Sequence, residues 1–154
     1  MICASAAEFH EAVGGHGALI GLDVGSKTIG TAFCDALWSF ASPAQLIKRR
    51  KFAADKLLLK SLIESRVTKG VVIGNPLNMD GSGSPRAQAS RAFAQNIGDF
   101  NLPILLWDER LSTAAAERDM IAADMSRAKR AERIDNAAAT VILQGAIDAL
   151  VNIT

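Results

Sequence analysis

The stretch Ala18-Leu-Ile-Gly-Leu-Asp-Val-Gly-Ser-Lys-Thr-Ile-Gly-Thr-Ala-Phe-Cys34 decides the fold. Residues 18–24 are apolar and β-branched, which reads as a buried strand ending on Asp23. Gly25-Ser26-Lys27 is a turn. Residues 29–34 read as a second strand returning antiparallel across it. An all-parallel sheet needs a helix between its first strands, and three turn residues leave no room for one. Trp38 to Ala41 reads as a shorter third strand, broken by Ser42-Pro43.

Downstream the period changes. Residues 52–65 place Phe52, Leu58 or Leu59, Leu62 and Ile63 at helical spacing, with Lys56, Lys60 and Glu64 on the wet side. Gly70-Val-Val-Ile-Gly74 is a short apolar strand suited to a sheet centre. Residues 75–85 have loop composition. Residues 86–100 read as an amphipathic helix and Pro103-Ile-Leu-Leu-Trp107 as the next buried strand. Ser112 or Thr113 caps a helix towards Met125. Residues 126–133 are basic without an apolar pattern and read as a mobile connection. The last helix is expected from Ile134 or Asp135 to about Val151. The result is an α/β fold: a mixed sheet of three antiparallel and then two parallel strands, with helices on both faces. Upstream, Ser5-Ala-Ala-Glu8 looks like a capping box opening a short helix to about Val13. Residues 1–17 are read as an N-terminal extension and 18–154 as the domain.

Composition narrows the class. The chain has 154 residues, 49% hydrophobic and 21% charged, the size of one domain with a core. Lys+Arg 17 against Asp+Glu 16 gives +1, so any polyanion site must be a local patch. No apolar run approaches the roughly twenty residues of a membrane span. The first 13 residues lack a basic residue and do not resemble a signal peptide. Cys3 and Cys34 are too few for a disulfide framework or a zinc site and read as reduced thiols of a cytoplasmic protein. At 5% aromatics, a base-stacking platform is not expected.

Three acidic positions stand out. Asp23 ends an apolar strand, Asp108-Glu109 closes another, and Asp135 opens the last helix before Asn136-Ala-Ala-Ala139. An acid in an apolar strand is costly unless paired or bound to a metal. Ligands gather beyond the carboxyl ends of parallel strands. If the first and last strands lie side by side, Asp23 and the Asp108-Glu109 pair converge. A divalent cation would then relieve their repulsion, and all-oxygen ligands favour Mg²⁺ or Mn²⁺. Taken singly, Asp23 also reads as a turn residue, Asp108 as a cap and Asp135 as a helix N-cap. Alternation sends Asp108 and Glu109 to opposite faces. Glu109 is chosen as the ligand, with Asp108 left to cap or orient a partner.

Phosphate contacts are expected from Lys27 in its glycine-containing hairpin. Asn75 and Asn78 lie in a loop at the sheet's active end, with a rigid Pro-Gly loop as the alternative reading. Lys48-Arg-Arg-Lys51 and Arg127, Lys129, Arg130, Arg133 are the local basic patches. His10 and His16 receive no role.

Four motifs together resemble the YqgF family of RNase H-like nucleases, associated with pre-16S rRNA processing and also described as Holliday-junction-resolvase-like. They are LDVGSKTIGTA at 22–32, VVIGNPLNMDG at 71–81, WDERLST at 107–113 and RIDNAAATVILQ at 133–144. The resemblance covers about residues 18–150. It implies an RNase H-like fold, a cytoplasmic setting and metal-dependent phosphodiester hydrolysis with one or two Mg²⁺ or Mn²⁺ ions. It carries the acidic site over to Asp23, Glu109 and Asp135, with Asp108 adjacent. Lys27, Arg110 and the segment Arg127, Lys129, Arg130, Arg133 would hold phosphates. The expected function is processing of the 5′ end of pre-16S rRNA in ribosome biogenesis. The alternatives are a junction-type DNA resolvase or a non-cleaving nucleic-acid-binding module. Expected partners are nucleic acid, RNA before structured DNA, and the pre-ribosomal particle, with no membrane and a monomer or homodimer. An ATP-binding reading of DVGSKT (residues 23–28) would need two such domains, and the chain supplies one.

Overall fold

The computed structural model describes residues 1–111 and 127–153, with side chains in the last helix described from Ala137 onwards. The elements are β1 (Ile2–Cys3), α1 (Ala6–Val13), β2 (Leu19–Val24), β3 (Thr28–Cys34), β4 (Ala41–Pro43), β5 (Ile47–Lys48), α2 (Phe52–Ser65), β6 (Gly70–Asn75), α3 (Pro85–Asn96), β7 (Ile104–Asp108) and α4 (Arg127–Val151). Among the described residues they form one sheet in the order β1-β7-β6-β2-β3-β4, with β5 also on β3. β2, β3 and β4 run antiparallel, while β6 pairs parallel with both β2 and β7. This is the mixed sheet expected from the sequence. No described helix is long and apolar enough to cross a membrane.

Alternation along the strands divides the core in two. On one face Leu19, Val72, Leu105 and Trp107 pack with Ala139, Ile142, Leu143 and Leu150 of α4. On the other, Ile20, Leu22, Val71 and Ile73 pack with Leu59 and Ile63 of α2, Phe93 of α3 and Ile97 just after it. Each fully buried aliphatic side chain is worth about 1.5–3 kcal/mol.

Three expectations change. The third strand is Ala41–Pro43 rather than the stretch from Trp38. Trp38 itself takes a left-handed φ of 60°, buries its ring and donates Nε1–H to Gly17 O at 2.8 Å. Pro43 is tolerated because β4 lies at the end of the sheet order. The first and last long strands are not neighbours, since β6 lies between β2 and β7. The basic segment read as a mobile connection is helical, because α4 begins at Arg127. Its Ala, Arg, Lys and Glu residues have high helix propensity and need no apolar stripe to form a helix. The helix expected from Ser112 or Thr113 lies outside the described residues.

Residues 1–17 are joined to the same sheet and core. β1 pairs parallel with β7, and Phe9 of α1 is fully buried. Ser5 caps α1 as expected, its Oγ accepting from Glu8 N–H at 3.1 Å, while the Glu8 side chain reaches one residue further back and accepts from Ala4 N–H at 2.9 Å. It ends at Gly14, whose φ of 80° suits glycine.

Candidate active site

The carboxyl ends of the parallel strands β2, β6 and β7 open on one edge of the sheet. Asp23 is 2% exposed and Glu109 7% exposed. A Cβ on Gly21 would meet Leu143 Cβ at 2.7 Å, so residue 21 faces α4. Asp23 shares that face by alternation. The β2–β6 register ends with Leu22 opposite Ile73, and one more step sets Asp23 beside Gly74. A Cβ on Gly74 would lie 2.5 Å from Ile142 Cδ1 and 2.8 Å from Glu109 Oε2. The Glu109 carboxylate therefore fills the notch that glycine leaves on the central strand. Asp23 and Glu109 converge across β6, not by direct strand contact.

Asp108 turns elsewhere. Its Oδ2 accepts from Arg110 Nη2 at 2.6 Å, and its Oδ1 accepts from Arg110 Nε and Arg110 N–H, both at 3.0 Å. The Arg110 side-chain bonds hold the Asp108 carboxyl below the usual carboxylate range, and Asp108 in turn raises Arg110. Arg110 also donates to Met79 O at 3.3 Å. It ties the loop after β6 to the end of β7.

In that loop, Asn78 donates Nδ2–H to Ser82 Oγ at 3.0 Å and to Gly83 O at 3.3 Å. Its amide holds the loop's own shape. Asn75 is 7% exposed, and its Oδ1 has no hydrogen bond among the described residues. Ser84 caps α3 and Pro85 takes its first position.

Arg86 follows, and its Nη2 donates to Asp23 Oδ1 at 2.6 Å. Sequence reading did not single out Arg86. The available signal was a cation in a helix's first turn, where the dipole disfavours it without a nearby anion. Lys27 is exposed at the hairpin. Arg49 ties the hairpin to α2: its Nη1 donates to Gly25 O at 2.9 Å and its N–H to Lys27 O at 2.8 Å, while its Nε lies 3.8 Å from Asp55 Oδ2 of α2. Together Gly25, Ser26, Lys27, Thr28, Arg49 and Arg86 line a cleft of about 690 Å³. The buried Asp23 thus stands beside a cleft that carries Lys27, Arg49 and Arg86.

The side chains of Asp135, Arg127, Lys129, Arg130 and Arg133 lie outside the described residues. Residue 135 lies on α4 four positions before Ala139, whose carbonyl oxygen would be 3.1 Å from a Cβ on Gly21. Among the described residues no three His, Cys, Asp or Glu side chains group as metal ligands. The two carboxylates brought together are hard oxygen donors, which fits Mg²⁺ or Mn²⁺ rather than zinc. The notch at Gly74 gives Glu109 its place beside Asp23.

Residues 17–149 match the family model RuvX, described as Holliday junction resolvase. A Sphingopyxis alaskensis protein named "Putative pre-16S rRNA nuclease" is 62% identical over 150 residues, covering 97% of this chain and 99% of its own. A Novosphingobium aromaticivorans protein of the same name is 61% identical over 150 residues, covering 97% of each. Among solved structures, T. thermophilus RuvC in complex with Holliday junction substrate aligns with a TM-score of 0.54 and 12% identity. The alignment covers 89% of this chain and 97% of that one. At that identity the likeness is one of fold.

Proposed function

The chain belongs to the RuvX family, and from that premise we infer that it is a metal-dependent nuclease acting on pre-16S rRNA. The observation that carries this reading is the pair of buried carboxylates, Asp23 and Glu109, meeting across Gly74 beside a cationic cleft. Processing at the 5′ end of the precursor is the proposed task, in the cytoplasm and on the pre-ribosomal particle. The names carried by the 62% and 61% identical relatives support the RNA substrate.

Asp23 and Glu109, with Asp135 as third carboxylate, would hold one or two Mg²⁺ or Mn²⁺ ions. Such ions supply Lewis acidity at the phosphate and acidify a bound water, so no histidine base is required. The chain's own residues bind and orient. Lys27 stands at the hairpin for one backbone phosphate. Arg127, Lys129, Arg130 and Arg133 are proposed to neutralise further phosphates along the strand. Asn75, Asn78 and Arg110 shape the loop edge over which the strand would pass. Asp108 keeps Arg110 in place and is not needed as a ligand. Burial of Asp23 and Glu109 strengthens their pull on a cation relative to water.

The test is a cleavage assay with Mg²⁺ or Mn²⁺ on single-stranded RNA, a 16S-precursor end and a four-way DNA junction. Wild type is compared with Asp23→Asn and Glu109→Gln, each purified free of contaminating nuclease. Precursor cleavage that both substitutions abolish, with the fold retained, is the expected result. Undiminished cleavage by Asp23→Asn would sink the site assignment. The family description favours a second reading, resolution of a four-way DNA junction. Junction cleavage without RNA cleavage would select it, and would call for two sites related by a dimer axis.

A further inference from the structure

Arg86 Nη2 donates to Asp23 Oδ1 at 2.6 Å. The Asp23 side chain is 2% exposed and that of Arg86 39%. A half-exposed guanidinium thus neutralises a buried carboxylate from the cleft side. Its backbone is well anchored. Ser84 Oγ donates to Pro76 O at 2.6 Å and accepts from Ala87 N–H at 3.0 Å, and Pro85 sets the first helical turn. With its backbone fixed at the helix start, Arg86 would leave Asp23 by rotation of its side chain.

A dication and a guanidinium compete for the same anionic oxygen. The oxygen that donates charge to one is a poorer ligand for the other, and the two cations repel at short range. A displaced Arg86 side chain would remain in the wall of the cleft it already lines with Lys27 and Arg49. There its planar fork suits two parallel bonds to a phosphate.

We propose that Arg86 is the resident counter-cation of Asp23 and an exchangeable phosphate ligand. It neutralises the buried carboxylate in the metal-free protein, yields to a divalent cation, and then binds a phosphate of the nucleic acid beside the acids. This rests on the reading of Asp23 as a metal ligand. Metal and polyanion binding then reinforce one another, because both favour Arg86 away from Asp23.

The experiment is Mn²⁺ binding to the full chain without nucleic acid, followed by the electron paramagnetic resonance of free Mn²⁺. Wild type, Arg86→Gln, Arg86→Met and Asp23→Asn are compared. Arg86→Gln is expected to bind Mn²⁺ about fivefold or more tightly than wild type, and Asp23→Asn to lose binding. In a companion measurement, Ca²⁺, a hard dication for the same oxygens, tightens binding of a short single-stranded RNA to wild type. That gain shrinks in Arg86→Gln. Binding lost in Asp23→Asn but unchanged or weaker in Arg86→Gln overturns the proposal alone. Equal Mn²⁺ binding by wild type and Asp23→Asn overturns the metal-site reading and the proposal with it. Should Arg86→Gln fail to fold, Arg86→Met carries the test: it keeps an unbranched stem without the charge and binds Mn²⁺ more tightly than wild type, and equal affinity overturns the proposal.

Discussion

The Glu109 carboxylate occupies the space that a side chain on Gly74 would take, with Oε2 2.8 Å from the position of a Cβ there. Gly74→Ala would also press on Ile142 Cδ1, 2.5 Å from that Cβ. The expected cost is about 1–3 kcal/mol of stability from overpacking. Cleavage should fall much further, because Glu109 is pushed from its place beside Asp23. Thermal unfolding together with the precursor-cleavage assay checks this. An active Gly74→Ala would show that the position of Glu109 is not critical.

Asp108 and Glu109 are adjacent in sequence and should behave oppositely. Asp108→Asn is expected to retain cleavage that Glu109→Gln loses. Arg110 holds the Asp108 carboxyl below its ordinary value of 3.8. Below that ordinary value the unfolded chain binds the proton first, so the contribution of Asp108 is present above it. It is lost as pH falls through the lowered value. The stability gap between wild type and Asp108→Asn should therefore be constant near neutrality and close in acid. Denaturant unfolding from pH 7 to pH 2 measures it.

Cys34 is buried, and burial pushes its thiol up from 9.0 to about 11. Cys3 is buried and raised as well. At pH 8 the native Cys34 should carry about a hundredfold less thiolate than the unfolded chain, and alkylate correspondingly slowly. The folded state keeps a proton that the unfolded chain releases. Stability should therefore fall as pH rises from about 9 towards 11. Iodoacetamide labelling in native buffer and in denaturant, read by mass spectrometry, tests the first point.

Phe9 is fully buried against the same core as α4. Phe9→Ala should cost about 3–5 kcal/mol. If residues 1–17 were a dispensable extension, the substitution would leave the unfolding midpoint unchanged.

The hairpin of β2 and β3, the helix Phe52–Ser65 and the apolar strands β6 and β7 were legible because each carries a local signal: period, turn residues or an uninterrupted apolar run. Trp38 misled because an aromatic residue in an apolar stretch suggests a strand. Its left-handed backbone closes a turn held by Asp35, and its ring is buried with a hydrogen bond to Gly17, twenty-one residues away. The start of α4 was missed because a basic run without an apolar stripe looks like a linker, although its residues favour helix. β1 was missed because two residues carry no period, and only the edge of β7 makes them a strand.

By itself the sequence determined which acids end apolar strands, that the sheet is mixed, and, through four motifs in register, which family the chain resembles. These are properties of neighbouring residues, and local chemistry encodes them. The tertiary structure decided that β6 separates β2 from β7, that Gly74 makes room for Glu109, and that Arg86 closes on Asp23 across 63 residues of chain. Those facts depend on strand order and on the reach of one side chain over the sheet's end. Both are settled by long-range packing, because the free energy that selects them comes from surfaces that meet only after the chain has folded.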